Sequence, residues 1–269
     1  DPTVTCAYRD AARRPMAPDG GLWMPARIPQ LGPDIGDTLP DVGFAVLRAF
    51  LGPEVPDADL RAVADRAFTF EAPVVRHHGR RVLELFHGPT ESFKDFGSRV
   101  NALLTEHFLG VDADRHRVVV ATSGDTGGAA VAAFGPTRIP CTVLYPRGRV
   151  TPYQRLQMTV HDFDGVHAVE CEGSFDDCQR SVKELLADPA LTLLSANSIS
   201  IFRVLGQVCY YVWAWVQEGR APLRFCVPTG NLGNALSAVI ASRMGLSITV
   251  TVATNANDTL PRYFASGDL

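Results

Sequence analysis

From residue 82 onward, short apolar runs alternate with stretches of helical periodicity, and this alternation limits the fold more than any other feature of the chain. Val118-Val119-Val120-Ala121 is continuously apolar, as expected of a strand buried on both faces. Comparable runs occur at 81–86, 141–145, 167–171, 191–194, 223–227 and 248–253. Between them the spacing predicts helices at 95–109, 126–134, 151–160, 174–187, 200–217, 233–244 and 258–266, with Ser174 and Asp177 as a capping box. Such alternation yields an α/β fold of parallel sheets flanked by helices, joined by right-handed crossovers. Residues 1–40 are rich in Pro, Gly and Asp, and 17–25 read as a turn feeding a short extended piece. Two helices are expected next, at 42–51 stopping at Gly52, and from an Asp57 N-cap to about Phe68. The first third is therefore a helical N-terminal preface.

Ligands of open α/β sheets gather where strands end and helix N-termini point free N–H groups outward. Two loops occupy such positions. Thr122-Ser123-Gly124-Asp125-Thr126-Gly127-Gly128 leaves the 118–121 strand, and Pro228-Thr229-Gly230-Asn231-Leu232-Gly233-Asn234 leaves the 223–227 strand. Both combine small residues with hydroxyls and amides. Neither fits a dinucleotide or phosphate-loop glycine pattern. Taken singly, each is read equally well as a tight strand-to-helix turn.

The chain has 25 basic residues, and only Lys94 and Lys183 are lysines. An amine can lose its proton and form an imine with a carbonyl, whereas a guanidinium stays charged. Lys183 falls on the polar side of an amphipathic helix. Lys94 lies between Phe93 and Asp95 after the turn at Gly88-Pro89, at the mouth of an apolar segment, and is the candidate Schiff-base residue.

In the stretch from Ser195 to Arg203, the residues Asn197, Ser198 and Arg203 can meet at one helix N-terminus and clamp an anion. A polar cap with Arg203 on a solvated face fits the same spacing. Arg147, Arg149 and Arg155 form a positive patch that reads as a solvated loop. The histidines lack metal-ligand spacing, so no metal site is expected, and His87 beside the Lys94 loop is read as a packed or hydrogen-bonded residue.

A net charge of -4 argues against a general nucleic-acid or membrane-surface binder, so any anionic ligand must be met by local positive charge. The six cysteines contain no Cys-x-x-Cys pair. Cys141, Cys171 and Cys226 fall in strand-like runs, which predicts buried free thiols in a reducing compartment. No signal peptide opens the sequence and no apolar run reaches membrane-span length, so the expected location is the cytoplasm.

Taken together, these stretches resemble threonine synthase of the longer bacterial and fungal type. The resemblance rests on Pro18-Asp19-Gly20-Gly21-Leu22, on Glu84-Leu85-Phe86-His87-Gly88-Pro89-Thr90 through Phe93-Lys94-Asp95, and on Thr122-Ser123-Gly124-Asp125-Thr126-Gly127. It continues through 145–149, Gly173-Ser174-Phe175-Asp176-Asp177-Cys178-Gln179, Asn197-Ser198-Ile199, Pro228-Thr229-Gly230-Asn231 and 253–258, in the family's order along essentially the whole chain.

The resemblance implies a pyridoxal 5'-phosphate (PLP) enzyme with the tryptophan synthase β-like fold (fold type II). Lys94 would bind the cofactor covalently, with Phe93 close to its ring and Asp125 near its 3'-oxygen. Gly230, Asn231, Leu232, Gly233 and Asn234 would hold its phosphate through backbone N–H groups. Ser123 and Thr126 would receive the substrate, and Asn197, Ser198 and Arg203 would bind the substrate's phosphate. The implied reaction converts O-phospho-L-homoserine and water into L-threonine and phosphate in a monomer or homodimer. The alternatives to this reading are a lyase that releases 2-oxobutyrate from the same substrate, another PLP β-replacement enzyme, or, outside enzymes, a truncated PLP-binding scaffold without catalysis. Residues 1–92 would lead into the lysine loop and 93–190 would form a smaller α/β domain. Residues 191–269 would begin a larger cofactor-binding domain, because the sequence stops short of a usual family member.

Overall fold

The structure is a computed structural model that describes residues 3–14, 16–188, 190–196, 200–256 and 259–267. Helices α1 (Tyr8–Arg13), α2 (Leu39–Leu51) and α3 (Asp57–Ala67) open it. The Thr38 hydroxyl accepts from the Asp41 N–H to cap α2, and Pro40 occupies its first turn, where a missing N–H costs nothing. Asp57 is the first helical residue of α3 rather than its cap, because Pro56 takes the cap position. The short α1 was not apparent in the polar, Pro-rich opening.

The expected strand at 81–86 is shorter and differently paired. It becomes β2 (Arg80–Leu83), which forms an antiparallel hairpin with β1 (Val74–His77). Its turn, His78-Gly79, has positive φ at both residues, the geometry that matches the strand twist of a two-residue hairpin.

Then follow α4 (Lys94–Leu109), a 3-10 turn at Gly110–Arg115, β3 (Arg117–Ala121), α5 (Asp125–Phe134), β4 (Cys141–Pro146) and α6 (Pro152–Thr159). The chain continues through β5 (Val166–Cys171), α7 (Phe175–Ala187), β6 (Leu193–Ser195), α8 (Ile201–Gln217), β7 (Leu223–Pro228), α9 (Gly233–Arg243), β8 (Ile248–Ala253) and α10 (Thr259–Ser266). From α4 onward the predicted elements all form, with ends displaced by at most two residues. The Ser174–Asp177 capping box is present at α7.

Strands β5-β4-β3-β6 form one parallel sheet, with Val118 paired to Cys141 on one side and Leu194 on the other. β7 and β8 form a separate parallel pair. This is the expected α/β class of parallel sheets flanked by helices. Because β3 and β6 are neighbours, their carboxyl ends lie side by side.

Two cores meet on α4. Phe96, Val100 and Leu104 pack with α2, α3, α8 and α9, whereas Ala102 and Leu109 join β3, β4 and α5. Burying each large side chain contributes roughly 1.5–3 kcal/mol. The two helices touch backbone to backbone: a Cβ on Gly97 would lie 2.6 Å from the Arg203 carbonyl oxygen, and one on Gly206 would lie 2.7 Å from that of Phe96. Those glycines bring the N-terminus of α4, with Lys94, against the N-terminus of α8, with Arg203.

All six thiols are free. Cys141 is buried as expected, Cys171 is partly covered, and Cys226 is exposed on β7, where the two-stranded sheet leaves one face open. Among the described residues no helix is long and apolar enough to cross a membrane.

Candidate active site

The loop ahead of α4 is wound around one buried carboxylate. Asp95, 1% exposed, accepts the Thr90 N–H at 2.9 Å and the Thr90 hydroxyl at 2.6 Å. A Cβ at Gly88 would sit 2.5 Å from the same carboxylate, so only glycine lets the backbone pass there. Glu91 turns the chain through the left-handed region, φ 53°, and the Ser92 hydroxyl accepts the Lys94 N–H. Burial raises the Asp95 pKa despite the opposing Thr90 hydrogen bonds.

This loop sets Lys94 as the first residue of α4, its side chain 20% exposed. The Lys94 Nζ donates to Asp125 Oδ2 at 3.2 Å and lies 4.5 Å from the centre of the Phe93 ring. Asp125 begins α5. Its loop is built on Thr122, whose Oγ1 accepts from the N–H groups of Gly124 and Gly127. Burial would raise the Asp125 pKa, but the Gln154 amide and the Lys94 ammonium outweigh it and hold the carboxyl below its usual range. Ser123 is exposed at the loop tip, while Thr126 turns toward Lys94's cavity.

That cavity, about 370 Å³, is lined by Phe93, Lys94, Thr126, Arg203, Gln207 and the 228–234 turn. Its volume falls within the roughly 300–1,000 Å³ of small-molecule sites. Lys94, Thr126, Arg203, Gly230, Asn231, Gly233 and Asn234 thus line one cavity. Leu232 supports the turn from the left-handed region, φ 62°. Within the turn the Leu232 N–H donates to Thr229 Oγ1 and the Gly233 N–H to Asn231 Oδ1, so those two donors face inward. Asn197 and Ser198 lie outside the described residues.

Arg203 is 3% exposed, not on a solvated face. Its Nη1 donates to the Ala196 carbonyl at 2.7 Å, while its buried Nε has no partner among the described residues. Burial lowers its pKa to about 10. A buried guanidinium without a carboxylate is costly unless an anion reaches it. By contrast, Arg147 pairs with Glu170 and Glu172, so that patch is an ion-paired surface loop. His87 bonds Glu84 at 2.8 Å, as a hydrogen-bonded residue was expected to do.

Sequence reading missed two glutamines. Gln207, one turn beyond Arg203 on the same face of α8, is a buried polar residue in an otherwise apolar helix, which is a readable signal. Gln154 donates to Asp125 Oδ1 at 2.9 Å, and its only sequence mark is the Thr151–Gln154 capping pattern.

An amine at the cavity wall, a carboxylate beside it, an aromatic ring, the N-terminus of α9 and a buried guanidinium whose Nε has no partner among the described residues make a donor set that fits pyridoxal phosphate and a second anion. Residues 81–268 match the family described as pyridoxal-phosphate dependent enzyme, and the chain belongs to that family. Within it the likeness is to threonine synthases. Residues 3–68 match the threonine synthase N terminus family. A threonine synthase of Haemophilus influenzae is 40% identical across 99% of this chain and 65% of its own length; one of Schizosaccharomyces pombe is 36% identical across 97% and 57%. The crystal structure of a PLP-bound threonine synthase from Brucella melitensis superposes with a TM-score of 0.89 at 40% identity, covering 97% of this chain and 60% of that one. The chain therefore spans about three fifths of the length of these relatives.

Proposed function

We propose that this chain carries the lysine side of a threonine synthase site, converting O-phospho-L-homoserine and water into L-threonine and phosphate. The observation that carries the reading is that Lys94, Thr126, Arg203 and the 228–234 turn line one cavity. When bound, pyridoxal phosphate supplies an aldehyde that captures amines and a ring that accepts the electron pair left by proton removal. Lys94 would hold the cofactor, and its Nζ, when free, would take the α-proton of the bound substrate as general base. Asp125, 3.2 Å away, orients that amine. The turn at 230–234 and the α9 N-terminus receive the cofactor phosphate.

Arg203, with Asn197 and Ser198, receives the substrate phosphate. Its buried guanidinium stabilises the leaving anion more strongly than an exposed one would. Ser123 and Thr126 receive the amino acid's carboxylate end. The separate β7–β8 sheet supports reading residues 191–269 as the start of a larger domain, although β6 hydrogen-bonds across to β3.

The test is a phosphate-release assay with product identification on the PLP-loaded protein and on Lys94→Ala. Equimolar threonine and phosphate from the wild type, lost in the variant, is the expected result. Brisk 2-oxobutyrate without threonine overturns the reaction assignment.

A further inference from the structure

Helix α6 is an eight-residue segment whose sequence marks a helix but no functional role, yet it reaches both sides of the lysine. Its Gln157 Nε2 donates to the Thr90 carbonyl at 2.9 Å, in the loop before Lys94, and Gln154 Nε2 donates to Asp125 Oδ1. The closeness depends on the glycines of α5 and its loop: a Cβ at Gly128 would lie 3.0 Å from Gln157 Cβ, and one at Gly124 would lie 3.3 Å from Gln154 Nε2.

The orientation of the Gln154 amide follows from its partners. Its Oε1 accepts the Thr151 N–H at 3.2 Å, completing the capping box of α6, and a backbone N–H can only be met by the oxygen. The nitrogen must then face Asp125, which needs a donor. One side chain thus caps its own helix with one atom and holds the lysine's carboxylate with the other. Asp125 is fixed on both oxygens, Oδ1 by Gln154 and Oδ2 by Lys94.

We propose that Gln154 is a positioning residue for the lysine chemistry: it holds Asp125 at the angle from which Asp125 orients the Lys94 amine. This rests on Lys94 being the reactive amine. A helix-capping role and a positioning role make opposite predictions for Gln154→Glu. Glutamate at the third helical position completes a capping box as well as glutamine does, so the helix is kept. It also replaces the donor facing Asp125 with a second carboxylate. The pair then repels, and Asp125 turns away from the Lys94 amine.

The experiment incubates wild type, Gln154→Glu and Gln154→Ala with pyridoxal 5'-phosphate, traps the lysine adduct with borohydride, and follows the Lys94 peptide by mass spectrometry beside a thermal melt. We expect Gln154→Glu to melt at or above the wild-type temperature while trapping Lys94 about tenfold more slowly, because the amine is no longer held in its reactive orientation. Gln154→Ala is expected to lose both melting temperature and trapping rate. Wild-type trapping in Gln154→Glu overturns the positioning role alone. Absence of any Lys94 adduct in the wild type removes the reading of Lys94, and the proposal with it.

Discussion

Thr90 donates both its backbone N–H and its hydroxyl to the buried carboxylate of Asp95, so the residue after the reactive-type lysine fixes the turn that precedes it. In Asp95→Ala both Thr90 donors stay buried without an acceptor, at about 1–3 kcal/mol each. Asparagine keeps one acceptor and can donate to the Thr90 oxygen, so Asp95→Asn should lose less than half as much in urea unfolding. The pH dependence follows from the raised Asp95 pKa. The native state binds this proton more tightly than the unfolded chain, so the contribution is greatest below the ordinary value of 3.8 and declines as pH rises through the raised value. That decline should vanish in Asp95→Asn. Equal slopes for the two proteins would contradict it.

Gly206→Ala tests the contact that joins Lys94 to Arg203. In an ordinary helix interior, glycine to alanine stabilises by roughly 0.5–1 kcal/mol. Here the new Cβ would sit 2.7 Å from the Phe96 carbonyl oxygen and 2.9 Å from Gly97 Cα, both backbone atoms that cannot swing aside. The overpacking cost, typically about 1–3 kcal/mol, should win. We expect a lower unfolding midpoint and weaker cofactor retention; a stabilised variant would mean the helices are not in backbone contact.

What the sequence discloses here depends on whether a residue's role is local. Strand and helix periodicity is local, so β8 falls where the apolar run places it, and the Ser174 box is found from spacing alone. The apolar run at 81–86 marks β2, but β1 and the hairpin pairing leave no mark because β1 is short and half exposed, with little apolar alternation. Lys94 stands out by scarcity, and the 228–234 turn by composition. Gln154 does not, because its partner Asp125 is far away in sequence and only the packing of α6 on the α5 glycines brings them together. The burial of Arg203 is equally non-local: its spacing permitted a solvated face, and the α4–α8 glycine contact excludes it.

The cysteines give a chemical check on the packing. Burial pushes the Cys141 thiol up to about 12 and the Cys209 thiol higher still, while Cys6 and Cys226 are exposed. Because the thiolate is the reacting species, a disulfide reagent at neutral pH should modify exposed Cys226 promptly and Cys6 more slowly, since partial burial with Asp10 and Glu54 nearby raises the Cys6 thiol. Cys141 and Cys209 should react only as the chain unfolds. Prompt modification of Cys209 would show that α8 is not packed in the core.

Arg203 supplies the sharpest separation of stability from binding. Its guanidinium is buried, its Nε is unpaired among the described residues, and it lines the cavity. Replacing an unpaired buried charge with an apolar side chain of similar length removes a desolvation cost, so Arg203→Met should melt at or above the wild-type temperature without added anion. Inorganic phosphate should raise the wild-type melting temperature, because a ligand at about 100 times its Kd adds about 2.7 kcal/mol to the folded state. In the pyridoxal phosphate-loaded protein, where the 230–234 turn is already filled, the same phosphate should leave Arg203→Met unchanged. Arg203→Lys keeps the charge but loses the planar fork, and should retain only part of the phosphate response. A full phosphate response in Arg203→Met would place the anion elsewhere and remove Arg203 from the site.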